Sequence, residues 1–195
     1  MAVLTIAYVD LASGQPENAL QLLLKVRDRQ RTPKFFLQWY WRIISEFGLV
    51  GAYLDLGSLD QANTAAQQFL EDALTTDDPA LRAPAWDSMA RVAARKGEVA
   101  RALECMEQAF ASLEHHDLPS VAWRLHATAA QLRIQVRDFD ASEHHCLEAA
   151  SGLQRAAASF GGNDSLRQSL MDAAETLKTN FYRELEAARV ASAGK

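Results

Sequence analysis

The sequence predicts an all-α array of stacked helical hairpins, and three observations lead there: a small-residue pair recurs along the chain, helix-like segments alternate with short turns, and no strand pattern of comparable strength occurs. Gly14 and Ala19, Gly57 and Ala62, and Gly97 and Ala102 each lie five positions apart, and Val136 with Ala141 keeps the spacing without the glycine. The alanines follow one another in steps of 43, 40 and 39 residues. A fixed period of this size is the signature of a stacked repeat. Glycine accepts the left-handed conformation that ends a helix, and an alanine one turn into the next helix lets two backbones approach closely. Each pair therefore marks the tight turn of a hairpin.

The apolar periodicity places helices at about 2–12 and 16–30, 33–56 and 59–75, 79–96 and 99–115, and 119–136 and 139–159, with a last one near 165–190. Start signals agree with this division. Thr32-Pro33 and Asp78-Pro79 each offer an N-cap followed by proline at the first helical position, where the missing N–H costs nothing. Ser58 with Gln61 and Ser165 with Gln168 read as capping boxes, and Pro16 and Pro119 sit where helices should begin. The seventh helix carries two apolar faces, one with Val121, Leu125, Ala129, Leu132 and Val136, the other with Trp123, Ala127, Ala130 and Ile134. Between them lie a polar edge of Arg124, Thr128, Gln131 and Gln135 and an opposite edge of His126 and Arg133. Two apolar faces call for neighbours on both sides, as inside a solenoid. The last helix has a single stripe of Leu166, Leu170, Ala173, Ala174, Leu177 and Phe181, which suits a cap over the open end of the array. The expected architecture is one domain spanning 1–195, a right-handed α-solenoid of about four hairpins (2–30, 33–75, 79–115, 119–159) with a capping helix at 165–190.

Composition narrows the function. A net charge of −5 and a pI near 5.5 oppose a role in neutralising phosphates, so no nucleic-acid partner is expected. The basic cluster at 25–31 contains an aspartate and sits at a helix end, where cations suit the helix dipole. The apolar start at 1–10 lacks a basic flank and is too short for a signal sequence or a membrane span, and Cys105 and Cys146 do not form the framework of a small secreted fold. A cytoplasmic chain with two free thiols and no membrane partner is the expectation.

The stretch Tyr53-Leu-Asp-Leu-Gly57-Ser-Leu-Asp-Gln-Ala62 resembles the middle of a tetratricopeptide repeat, in which an aromatic, a glycine and an alanine cross the turn in this order. The step near 40 is longer than in the standard repeat and looks like the long-helix variety of bacterial signalling proteins. From Leu118, the run Leu-Pro-Ser-Val-Ala-Trp123-Arg124-Leu-His126, then Ala156-Ala-Ala-Ser-Phe160 and Asp164-Ser-Leu-Arg167, resembles the C-terminal end of helical-repeat regions in large bacterial NTPase-containing regulators. The resemblance implies a sensor or docking module without catalytic parts, whose partners include the upstream domains of a parent protein.

Candidate chemistry is sparse. His144-His145-Cys146 points in three directions on a helix and does not converge on one ion, and Gly161-Gly162-Asn163 follows a helix and lacks the lysine of a phosphate loop. No metal, no cofactor and no catalytic residues are expected, and the chain is not read as an enzyme. His115-His116 ends a helix, where histidine suits the dipole. His126 and Arg133 share a polar edge that reads as a groove wall or as structural hydrogen bonding. Asp87, Arg91 and Arg95 form an i, i+4, i+8 stripe, read either as a solvated salt-bridged face or as a groove wall that meets acidic side chains or a C-terminal carboxylate. The aromatic run at 35–41, with Trp39 and Trp41, spans more of the wheel than one interface needs; packing between two repeats accounts for most of it, and the remainder reads as an exposed patch where an upstream domain or a second copy docks. The functional expectation is a non-catalytic module that binds a protein or peptide partner. The alternatives are an architectural or oligomerisation element, including a homodimer, and a small-molecule effector sensor.

Overall fold

The computed structural model describes residues 2–29 and 38–193, and the regular structure among them is entirely α-helical. The helices are α1 (Ala2–Ala12), α2 (Pro16–Arg29), α3 (Gln38–Asp55), α4 (Leu59–Leu74), α5 (Pro79–Arg95), α6 (Val99–Ser112), α7 (Pro119–Gln135), α8 (Phe139–Ala158) and α9 (Asp164–Ala193). Every expected helix is present, with most ends shifted by a few residues at most. The expected start of the third helix, with the Thr32-Pro33 cap, lies outside the described residues. α6 stops short of His115 because His115 itself takes a left-handed φ of 68°, and the exit turn is closed by backbone bonds from Leu113 and Glu114 to Phe110 and Ala111.

Four turns share one hydrogen-bond geometry. Gly14, Gly57 and Gly97 are left-handed, with φ of 69°, 70° and 80°, and Arg137 takes φ 61° in the fourth turn. In each turn the N–H of this residue reaches the carbonyl three back at 3.0–3.1 Å, and the next N–H reaches the carbonyl five back at 2.8–2.9 Å. This is the Schellman closure, which satisfies helix-end carbonyls without any side chain. The geometry corrects the register of the fourth repeat: Arg137 with Ser142, one position later than Val136 with Ala141, stands where the glycine–alanine pairs stand. Ser142 is fully buried, as are Ala19, Ala62 and Ala102, and its hydroxyl donates to the Ala130 carbonyl at 2.6 Å. The small-residue steps thus become 43, 40 and 40.

Among the described residues, side-chain capping follows the sequence at Asp78 but not at Ser58 or Ser165. Asp78 accepts the Ala80 N–H at 2.9 Å ahead of Pro79, as expected. The Ser58 side chain makes no cap bond, whereas Asp138, at the same place in the fourth turn, accepts the Ala141 N–H at 3.3 Å. The second box is replaced by Asn163, whose side-chain oxygen accepts the Leu166 N–H at 3.0 Å, while Gln168 turns to Asp172.

The helices pack largely in sequence, in the manner of a helical solenoid. Each hairpin closes on itself, each second helix leans on the next first helix, and α1, α3, α5 and α7 lie side by side in a row. The backbones of the second helices α2, α4, α6 and α8 form no such row, although Phe110 of α6 stacks on His145 of α8 at 5.7 Å between ring centres. Contact along one layer and separation along the other bends the array toward its first helices. One core runs through the stack from Leu4 to Leu132. α7 uses both predicted faces: Leu125, Ala129 and Leu132 enter that core, while Ala130, Ile134 and Trp123 meet α8 and α9. α7 and α8 approach so closely that a Cβ on Gly152 would sit 2.9 Å from the Trp123 Cβ. α9 covers the end of the array through Leu170, Ala174, Leu177, Phe181 and Leu185, whereas Leu166 and Ala173 of the expected stripe stay exposed.

The fourth turn generates a prediction. A non-glycine residue held left-handed is strained by about 1 kcal/mol. Arg137→Gly is expected to stabilise the chain by about that amount in urea unfolding, while Gly97→Ala destabilises it by a similar amount.

Candidate functional site

The polar groups of greatest interest lie on the row of first helices. On α7, Arg124 and Thr128 are one turn apart and face away from His126, which is two residues from Arg124 and so about 200° round the helix. The Arg124 guanidinium lies 4.9 Å from the centre of the Phe47 ring on α3 and 5.3 Å from that of Trp123. Phe47 in turn contacts Phe69 at 5.6 Å and Tyr8 of α1 at 6.3 Å between ring centres. Tyr8 donates to the Ile44 carbonyl at 2.7 Å. Side chains from hairpins one, two and four therefore meet across the inner side of the bend.

Asp87 of α5 lies beneath this group. It is fully buried, and neither carboxylate oxygen has a hydrogen-bond partner of normal geometry. Burial pushes its pKa up, against the opposing pull of Arg91, the Thr128 hydroxyl and Arg124. The reciprocal effect falls on Arg124, whose pKa burial lowers, with Asp87 raising it and Arg91 lowering it further. Burial also raises the pKa of Tyr8, which stays a phenol at neutral pH, with Arg124 lowering it and Tyr40 raising it. Two guanidiniums around one poorly solvated carboxylate leave the inner face electropositive. A second buried carboxylate, Glu46, is also shifted up by burial, with Arg27 and Arg42 opposing. Arg42 itself grips Asp72 through two bonds of 2.6 and 2.7 Å, tying α3 to α4.

The seven expected site residues divide. Asp87 and Arg91 do come together, joined by Arg124 and Thr128, but Asp87 is not on a solvated salt-bridged face: α7 covers it, and burial excludes water. Arg95 is exposed at the last position of α5. His126 and Arg133 are on the opposite edge of α7. The His126 Nδ1 is 3.0 Å from the Nδ1 of His145, and both rings pack on Phe110. In that contact one ring donates its Nδ1–H and the other accepts with a bare Nδ1, so at least the accepting imidazole is neutral. Burial lowers both pKa values, that of His145 to about 4, where His126, His144 and Arg133 lower it further and Asp138 opposes. Arg133 pairs with Asp138 across the fourth turn at 3.4 Å. Trp39 is half exposed, Trp41 packs into the main core, and Tyr40 meets both edge-on.

Sequence reasoning missed Tyr8, Phe47 and Arg124 as site residues. Arg124 and Thr128 were visible as a polar edge, but nothing local distinguished the inner edge from the outer one. Among the described residues no three His, Cys, Asp or Glu side chains are placed to hold a metal, and no helix is long and apolar enough to cross a membrane. Cys105 and Cys146 are buried free thiols, and burial raises the pKa of each. The chain matches no protein-family model, no curated protein and no solved structure.

The upward shift of Asp87 has a sign that can be tested. The folded state binds this proton more tightly than the unfolded chain, so stability falls as pH rises from the ordinary value of 3.8 through the raised folded value. Asp87→Asn removes the ionisation. It is expected to gain about 1–3 kcal/mol over the parent chain at pH 8 and little at pH 4, measured by urea unfolding across that range. Equal destabilisation at both pH values would mean that Asp87 is ionised and held by its arginines.

Proposed function

We propose that the chain is a non-catalytic protein-interaction module of the tetratricopeptide type, which binds a segment of another protein or a neighbouring domain along the face of its first helices. The observation that carries this reading is the inner group of Arg91, Arg124, Tyr8 and Phe47, drawn from α1, α3, α5 and α7 onto one side of the bend. Arginine offers planar, bidentate donors to carboxylates, and aromatic rings supply rigid apolar contact. Arg95, exposed further along α5, extends the basic edge. The matching ligand is an extended or helical segment with acidic side chains or a free C-terminal carboxylate. The long step between repeats supports a docking role within a larger signalling regulator.

The exposed aromatic edge favours a second reading, assembly of the chain with itself or with an upstream domain. Trp39 is 49% and Tyr40 37% exposed, large for aromatic side chains beside one another.

The first reading is tested with acidic peptides selected from a random C-terminal library. Arg91→Glu together with Arg95→Glu is expected to weaken the best binder by about tenfold or more in fluorescence anisotropy. Unchanged affinity counts against it. Light scattering tests the second reading, since a dimer that Trp39→Ser dissociates would support assembly and a monomer at all concentrations would not.

A further inference from the structure

The outer side of the bend carries a different surface. Because α4 and α6 belong to the layer that does not close into a row, they leave a groove of about 740 Å³ between them, floored by Trp86 and Met89 of α5. Leu70 of α4 and the buried Cys105 of α6 complete its apolar part. Trp86 and Leu70 are only partly buried, so a broad ring and a branched side chain face the groove unfilled.

The rim is acidic. Glu71 stands on the α4 side, and Glu104 and Glu107, one helical turn apart, stand on the α6 side. All three are exposed, and none forms an ion pair among the described residues. Arg101, the one cation lining the groove among the described residues, is paired with Glu98 at 3.0 Å. Like charges one turn apart on a helix repel, so Glu104 and Glu107 gain from any cation placed between them. An acidic rim disfavours nucleic acid and anionic lipid alike, because both carry the same sign of charge.

We infer a second docking surface here: the groove between α4 and α6 accepts a basic, amphipathic segment of a partner protein. Its apolar side chains sit on Trp86, Met89 and Leu70, and its lysines or arginines meet Glu71, Glu104 and Glu107. A cation beside Trp86 also gains from the face of the indole ring. Helix-in-groove recognition has this form, an apolar stripe in a trough with matched charge on the rim. The surface is independent of the inner face, which has the opposite charge.

The test uses an 18-residue, fluorescein-labelled model peptide of leucine and lysine in an amphipathic helical pattern, titrated with the full chain at physiological salt. Glu71→Lys, Glu104→Lys and Glu107→Lys combined are expected to weaken binding by about tenfold or more. The charge-matched control Glu17→Lys, Glu184→Lys and Glu186→Lys should stay within about twofold, as should the inner-face pair Arg91→Glu and Arg95→Glu. A peptide with serine in place of leucine should bind about tenfold more weakly than the leucine form. The milder triple Glu→Gln variant serves if charge reversal disturbs the circular dichroism spectrum, with the same direction of effect expected. The inference is overturned by equal weakening in groove and control variants, by loss of binding in the inner-face variant, or by no binding to the parent chain.

Discussion

Everything in this structure depends on how a helix stops. Four times the chain ends one helix with a left-handed residue, closes the turn with two backbone hydrogen bonds, and starts the next helix at once. Because no side chain is needed for the closure, the residue five positions on can be small, and it is buried each time. That small residue lets the two helices of a hairpin close together. The near-constant step of 40 then repeats the same packing, so the first helices fall into a row while the second helices approach one another less closely.

The bend gives the two sides of the array different physics. On the inner side, side chains from separate repeats converge, and Arg124 reaches Phe47 across α5. Polar groups gathered there lose water, which explains why Asp87, Arg124 and Tyr8 are all shifted toward their neutral forms. On the outer side, diverging helices open clefts, and the carboxylates along them remain solvated. The His126–His145 contact belongs to neither surface. Two neutral imidazoles pressed on Phe110 stitch α6, α7 and α8 together, as a buried polar pair does when each partner satisfies the other.

The helices and turns were legible because their signals are local. Apolar periodicity located the elements, and glycine located three of the four turns. The fourth was misread by one position because Arg137 carries no sequence mark of a left-handed backbone; only the buried small residue that follows, Ser142 and not Ala141, sets the register. The capping boxes did not form: Ser58 makes no side-chain cap bond, and Asn163 takes the place of Ser165 at the start of α9. The site was less legible. Asp87 and Arg91 were found by their spacing, but the spacing did not reveal that α7 would seal Asp87 from water. His126 and Arg133 were chosen over Arg124 and Thr128 because the two edges of α7 look alike in sequence. Which edge faces inward is decided by contacts with α3 and α5, more than 30 residues away.

The claim on which both surfaces rest is that the array bends enough for the second and fourth hairpins to touch. A double-mutant cycle between Phe47→Leu and Arg124→Met, read by urea unfolding, measures that contact directly. The bent array predicts a coupling of about 0.5–1 kcal/mol or more, as for a desolvated cation over an aromatic ring. Strict additivity of the two substitutions would contradict it.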